Sequence, residues 1–121
     1  MKVIRKDDTE AFRGTTFTNT AYLKRVLPNQ QEGGLQLSLV TFEAGALTHW
    51  HEHPGEQVLY ILEGEGRVGT ATEEFRVSAG DVIYTGPGEK HWHGAAPGQS
   101  MTHISVTSVG SPIWDDEGPE D

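Results

Sequence analysis

The ten residues THWHEHPGEQ, Thr48 to Gln57, hold three of the six histidines in the chain. On a strand, alternate side chains share a face, so His49, His51 and His53 point one way and Trp50 and Glu52 the other. Same-face neighbours stand roughly 6–7 Å apart, close enough for two imidazoles to converge on one ion through bonds of about 2 Å. Two of the three suffice, and one is spare. Pro54-Gly55 permits a bend, after which Gln57 resumes the same parity. A second group lies in GPGEKHWHG, where His91 and His93 share a parity. The Gly86-Pro87-Gly88 turn before them can fold their strand back beside the first. Five histidines in two clusters, each next to a bend, predict a metal centre. With no cysteine in the chain, thiolate ligands, disulfides and cysteine nucleophiles are excluded.

The elements that must position these residues read as strands. LQLSLVTF (35–42) alternates Leu35, Leu37 and Leu39 against Gln36 and Ser38. QVLYILEGEG (57–66) is a run of strand formers ended by a Gly-Glu-Gly turn. GRVGTA and EEFRVS read as the next pair, turning around Thr70–Glu73, and GDVIYT as a strand that breaks at Gly86-Pro87-Gly88. MTHISVTSV sets Met101, His103 and Ser105 on one face and Thr102, Ile104 and Val106 on the other. KVIR, TTFTNT and YLKRVL are each candidate short strands, and PNQQEGG (28–34) is a loop. Short strands at about 8–12-residue spacing, with no convincing amphipathic helix, predict an all-β sandwich or barrel.

The 121 residues make one domain. We expect residues 1–34 to be N-terminal strands and loop of that domain, 35–110 its core, and 111–121 a flexible acidic tail. Net charge is −9, and Asp115, Asp116, Glu117, Glu120 and Asp121 lie in that tail, leaving 13 acids against 9 bases elsewhere. That balance argues against nucleic acid, which needs a basic face. MKVIRKDDTEAF has no apolar run of the signal-peptide kind, and no stretch approaches the roughly 20 apolar residues of a membrane span. A cytoplasmic location is therefore expected.

Two stretches carry a family resemblance. Gly45-x5-His51-x-His53-x3-Gln57-x6-Gly64 resembles the first cupin motif, with Gln57 where the family usually has Glu. Gly80-Asp81-x4-Gly86-Pro87-Gly88-x2-His91 resembles the second, with Gly86 where the family usually has Pro. The resemblance implies a small jelly-roll β-barrel. It also implies a metal held by His51, His53, Gln57 and His91, with His49 as the extra histidine. Three imidazoles and an amide would leave a divalent ion its full charge and two open positions. Nitrogen and oxygen ligands suit Mn, Fe, Co, Ni, Cu or Zn, with Mn or Fe favoured. Exposed edge strands predict a homodimer, with the N-terminal strands as the contact.

A narrower resemblance is to the small single-domain cupins associated with carboxymuconolactone decarboxylases, a group that includes manganese-dependent hydroxynitrile lyases. Thr48 and His103 match positions used there. The resemblance implies a metal-dependent enzyme on a small organic molecule, by lyase, dioxygenase or isomerase chemistry. His103 would carry protons, Thr48 would be a polar contact at the rim, and His93 a hydrogen-bonding partner or alternative ligand. Trp50 and Trp92, of opposite parity, read as packing residues. The alternatives are a non-catalytic cupin that binds or senses a small ligand, and a structural barrel with a vestigial site.

Overall fold

The computed structural model describes residues 1–119. Its longest strand, β5 (Gln57–Gly69), serves two sheets. The Gly64-Glu65-Gly66 stretch, expected as a turn, is where β5 passes from one sheet to the other. Gly64 has φ of +87°, and a Cβ there would sit 2.0 Å from the Ser100 carbonyl oxygen. Only glycine allows that approach.

The first half of β5 belongs to a large antiparallel sheet. On one side it pairs with β7 (Val82–Thr85). On the other it pairs with β9 (Met101–Thr107), then β3 (Gln36–Phe42), β2 (Ala21–Leu27) and β1 (Phe12–Arg13). The second half of β5 lies between β6 (Glu74–Ser78) and β8 (Trp92–Ala95). Bridges Leu47↔Gly94 and His51↔His91 join β8 to the segment carrying β4 (His51–Glu52). The two sheets curl toward each other and enclose a core of Val40, Phe42, Ile61, Val68, Val77 and Met101. No α-helix occurs among the described residues, and none is long and apolar enough to cross a membrane.

Three expectations are revised. KVIR is not a strand, and TTFTNT contributes only the bridge Phe17↔Thr48, whereas YLKRVL lies in β2, a full member of the large sheet. The histidine strand is only two residues long, so the shared face expected of His49, His51 and His53 fails at His49, which is half-buried while the other two are buried. The segment after residue 110 is not wholly a free tail. Ile113–Trp114 form β10, which pairs with β4, and the backbone of 115 and 117 bonds to Trp50. Backbone pairing to β4 and Trp50, with the Trp114 ring against His51, holds the segment there. Glu120 and Asp121 lie outside the described residues.

The large sheet is amphipathic in an unusual sense. Gln36, Ser38, Gln57, His103 and Ser105 face inward with the core, whereas Leu37, Leu39, Ile104, Val106, Val58 and Tyr60 face out. The usual antiparallel sheet packs its apolar face on the core. Here the polar half of the inner face lines a chamber.

Candidate metal centre

Five histidines converge in that chamber. His51 and His53 come from β4 and the residue after it, His91 and His93 from the start of β8 and the residue before it, and His103 from β9, and all are buried. The ring centroids of His51 and His91 are 4.2 Å apart, and His53 stands 5.1 Å from His51 and 5.4 Å from His91. His51, His91 and His93 each offer a ring nitrogen within 4.8 Å of the others, a grouping able to hold a metal ion. Gln57 lies at the start of β5, beside His91. Its Oε1 lies 3.0 Å from Nε2 of His91, and its amide donates to Ser105 Oγ at 2.9 Å. The closest grouping of ring nitrogens is therefore His51, His91 and His93, with His53 and Gln57 beside it.

The protonation of these rings is fixed locally. Nδ1 of His51 donates to the His49 carbonyl at 2.9 Å, and Nδ1 of His91 to the Glu89 carbonyl at 2.7 Å. Each therefore turns the lone pair of Nε2 into the chamber, the tautomer a ligand needs. Burial is the chief cause that holds all five below the ordinary histidine value. His53 and His103 are pushed to about 4, and His51, His91 and His93 are also lowered. Repulsion from His91 adds to the effect at His51 and His53, and from His103 at His93. At neutral pH the chamber is lined by uncharged imidazoles.

His103 faces inward. Its Nε2 lies 3.0 Å from Nδ1 of His93, and its ring packs on Phe42. Nε2 of His53 and Nε2 of His93 are buried without a hydrogen-bond partner. Thr48 is not at the rim. It is buried because residues 47–51 are flanked on both sides, and its Oγ1 accepts the backbone N–H of His93 at 3.1 Å. Beside His91 and His93 a cavity of about 80 Å³ opens, walled by Leu59, Val68, Phe75, Ile83 and Trp92.

The cupin domain model matches residues 38–107, more than half of the chain. The chain belongs to the cupin family. A cupin-like protein of Thermotoga maritima superposes with a TM-score of 0.82 at 32% identity, covering 87% of this chain and 84% of that one. Polyketide cyclase RemF from Streptomyces resistomycificus shares the fold at a TM-score of 0.75 and 21% identity, over 91% of this cupin and 80% of that protein. Over 70 residues this cupin is 53% identical to an (R)-mandelonitrile lyase of Granulicella tundricola. That match covers 55% of this cupin and spans about half (52%) of the lyase.

Sequence reasoning missed two contacts at the centre. Trp114 of β10 stacks on His51, centroids 4.2 Å apart and planes at 31°. Its signal was the apolar pair Ile113-Trp114 ahead of the acids. Ser105, which anchors the Gln57 amide, carried only its parity with His103. Of the two tryptophans expected to pack, Trp92 is buried, with Arg67 over its ring, and Trp50 is half-buried.

Proposed function

We propose that this cupin is a metal-dependent lyase that cleaves a small cyanohydrin into an aldehyde or ketone and hydrogen cyanide. The observation that carries the reading is the 53% identity to an (R)-mandelonitrile lyase, read beside a chamber of buried, neutral histidines.

The residues fit a divalent transition metal. Two buried ring nitrogens, on His53 and His93, lack a partner, and two more, on His51 and His91, are turned inward by backbone carbonyls. We assign His51, His53, Gln57 and His91 as the ligands, with manganese or iron favoured. A bound ion would supply Lewis acidity toward a substrate oxygen. His93 is left free by this choice, because its Nδ1 is committed to His103.

Proton movement falls to this pair. The substrate hydroxyl loses its proton to Nε2 of His93, and the Nδ1 proton of His93 passes to Nε2 of His103. The electron pair of the O–H bond becomes the second bond of the carbonyl. The carbon–carbon bond breaks with its pair on cyanide, which takes the Nε2 proton of His93 as His103 returns its extra proton to Nδ1 of His93, so both rings end neutral as they began. No oxidant or reductant is needed. Thr48 holds the backbone of His93 in place. The apolar walls of the cavity suit a compact hydrocarbon or aromatic group on the substrate.

The test loads chelator-stripped protein with Mn, Fe or Zn and follows aldehyde release from mandelonitrile and aliphatic cyanohydrins. His103→Gln should lower turnover by about 10²–10⁴-fold with metal content unchanged, and His51→Ala should lose the metal. Stoichiometric metal with no cleavage across the panel would leave this a ligand-binding cupin. Absence of metal would remove both readings.

A further inference from the structure

After β5 the chain runs back along one edge of that strand, first as β6 and then as β7, with only residues 79–81 between them. β6 belongs to one sheet and β7 to the other, and neither has a second strand partner among the described residues. The two sheets therefore part between these free edges. The cavity of about 80 Å³ beside His91 and His93 lies in that seam, with Thr70 and Phe75 on the β6 side and Ile83 and Glu89 on the β7 side. Register puts His93, Val68 and Phe75 in one row across β8, β5 and β6. The first two are buried and Phe75 is 53% exposed, so the row runs from the inner histidine out to solvent. Edge strands ordinarily carry charge to deter pairing. Glu74 and Arg76 do so here, while Phe75 between them turns the other way, an aromatic ring at a free edge over an opening.

We propose that this seam is the entrance to the histidine chamber and that Phe75 and Glu89 select what enters: a compact, uncharged aliphatic group. Size follows from volume. The cavity of about 80 Å³ has near half of the ~150 Å³ that takes up benzene in an apolar protein cavity. A short branched aliphatic group fills it, and a phenyl ring must displace Phe75. Charge acts at the opposite lip. Histidines aside, Glu89 is the one charged side chain among the residues that line the cavity. Its Oε2 accepts the Gly86 N–H at 3.1 Å, which holds the carboxylate at the opening. A fixed carboxylate beside a narrow apolar entrance repels an anion, and no lysine or arginine lines the cavity to offset it. For turnover this selectivity rests on the cyanohydrin reading above; for binding it rests on the cavity alone.

The test titrates isobutyronitrile, benzonitrile and isobutyrate, none of them a cyanohydrin, into the full chain with zinc present and again after chelation. Indole N–H resonances report where each probe binds. Isobutyronitrile should shift Trp92, which walls the cavity, and leave Trp50 unmoved. Benzonitrile and isobutyrate should each bind more weakly by about fivefold or more. Phe75→Ala should bring benzonitrile level with isobutyronitrile. Glu89→Gln should strengthen isobutyrate by about fivefold with both nitriles unchanged. Both side chains are exposed, so far-ultraviolet circular dichroism should not change. Should Phe75→Ala unfold, the Trp92 shift in the unaltered chain and Glu89→Gln still decide. Shifts confined to Trp114, equal binding of the two nitriles by the unaltered chain, or a folded variant that leaves its selectivity untouched would each overturn the proposal. Because binding is read without turnover, a chain that shows this selectivity yet cleaves no cyanohydrin supports the entrance and refutes only the lyase reading.

Discussion

At Gln57 a neutral amide stands where a carboxylate would cancel one unit of a bound ion's charge. Ser105 accepts from its nitrogen and so turns Oε1 toward His91. Removing that anchor with Ser105→Ala should weaken metal affinity by about 10–100-fold, read by competition with a chelating dye. The buried rings make a second, pH-dependent claim. His53 and His103 titrate at about 4 in the folded chain against about 6.5 when unfolded. Between those values the unfolded chain holds more protons. Stability of the metal-free protein is therefore full above pH 6.5 and falls as pH drops toward 4, by about 1.4 kcal/mol per pH unit for each such histidine. Urea midpoints at pH 7, 6 and 5 check this, and a flat series contradicts neutral burial. That His51, His53, Gln57 and His91 lie near one another was carried by their resemblance to the two cupin motifs, since parity along one strand cannot relate His91 to residues 51–57. The His93–His103 contact was not, because it depends on which strands become neighbours across the chamber.

At the scale of elements, the short β10–β4 pair decides how the centre is closed. Trp114 covers one face of His51, Asp115 N–H donates to the Trp50 carbonyl at 2.9 Å, and Lys90 pairs with Asp115 at 2.6 Å. That ion pair is half-exposed and contributes little, of the order 0–1 kcal/mol, so the stacking and backbone bonds hold the strap. Trp114→Ala should therefore speed metal release to a chelator by about tenfold or more, while Lys90→Gln should leave it nearly unchanged. Equal release rates in both variants would show that the strap is not a barrier. β3, β6, β7 and β9 were readable from alternation and turn chemistry. The strap was not, because acidic chain ends ordinarily fray and nothing local announces a partner forty residues or more away.

For the whole molecule, the enclosed chamber couples metal to folding. The unfolded chain scatters the ligands, so an ion favours the folded state by about 2.7 kcal/mol at a hundred times its dissociation constant. For a chain of this size that raises the melting temperature by the order of 10 °C. Scanning calorimetry with and without Mn checks it, and an unshifted transition would deny a site of this kind. The all-β class and the barrel were legible because glycine-bounded strands follow at short intervals. Which face of each strand looks inward was not. Leu37 and Leu39 read as core residues in a plain amphipathic strand, yet β3 sends them outward and Gln36 and Ser38 in, because a polar chamber, not a solid core, fills that end.

The indole of Trp114 lies against the ring of His51, which gives the chain an optical reporter of its own. A paramagnetic ion on His51 would quench that emission at short range, whereas diamagnetic zinc would leave it bright. Comparing the two metals, with Trp114→Phe as the blank, reads occupancy without a label.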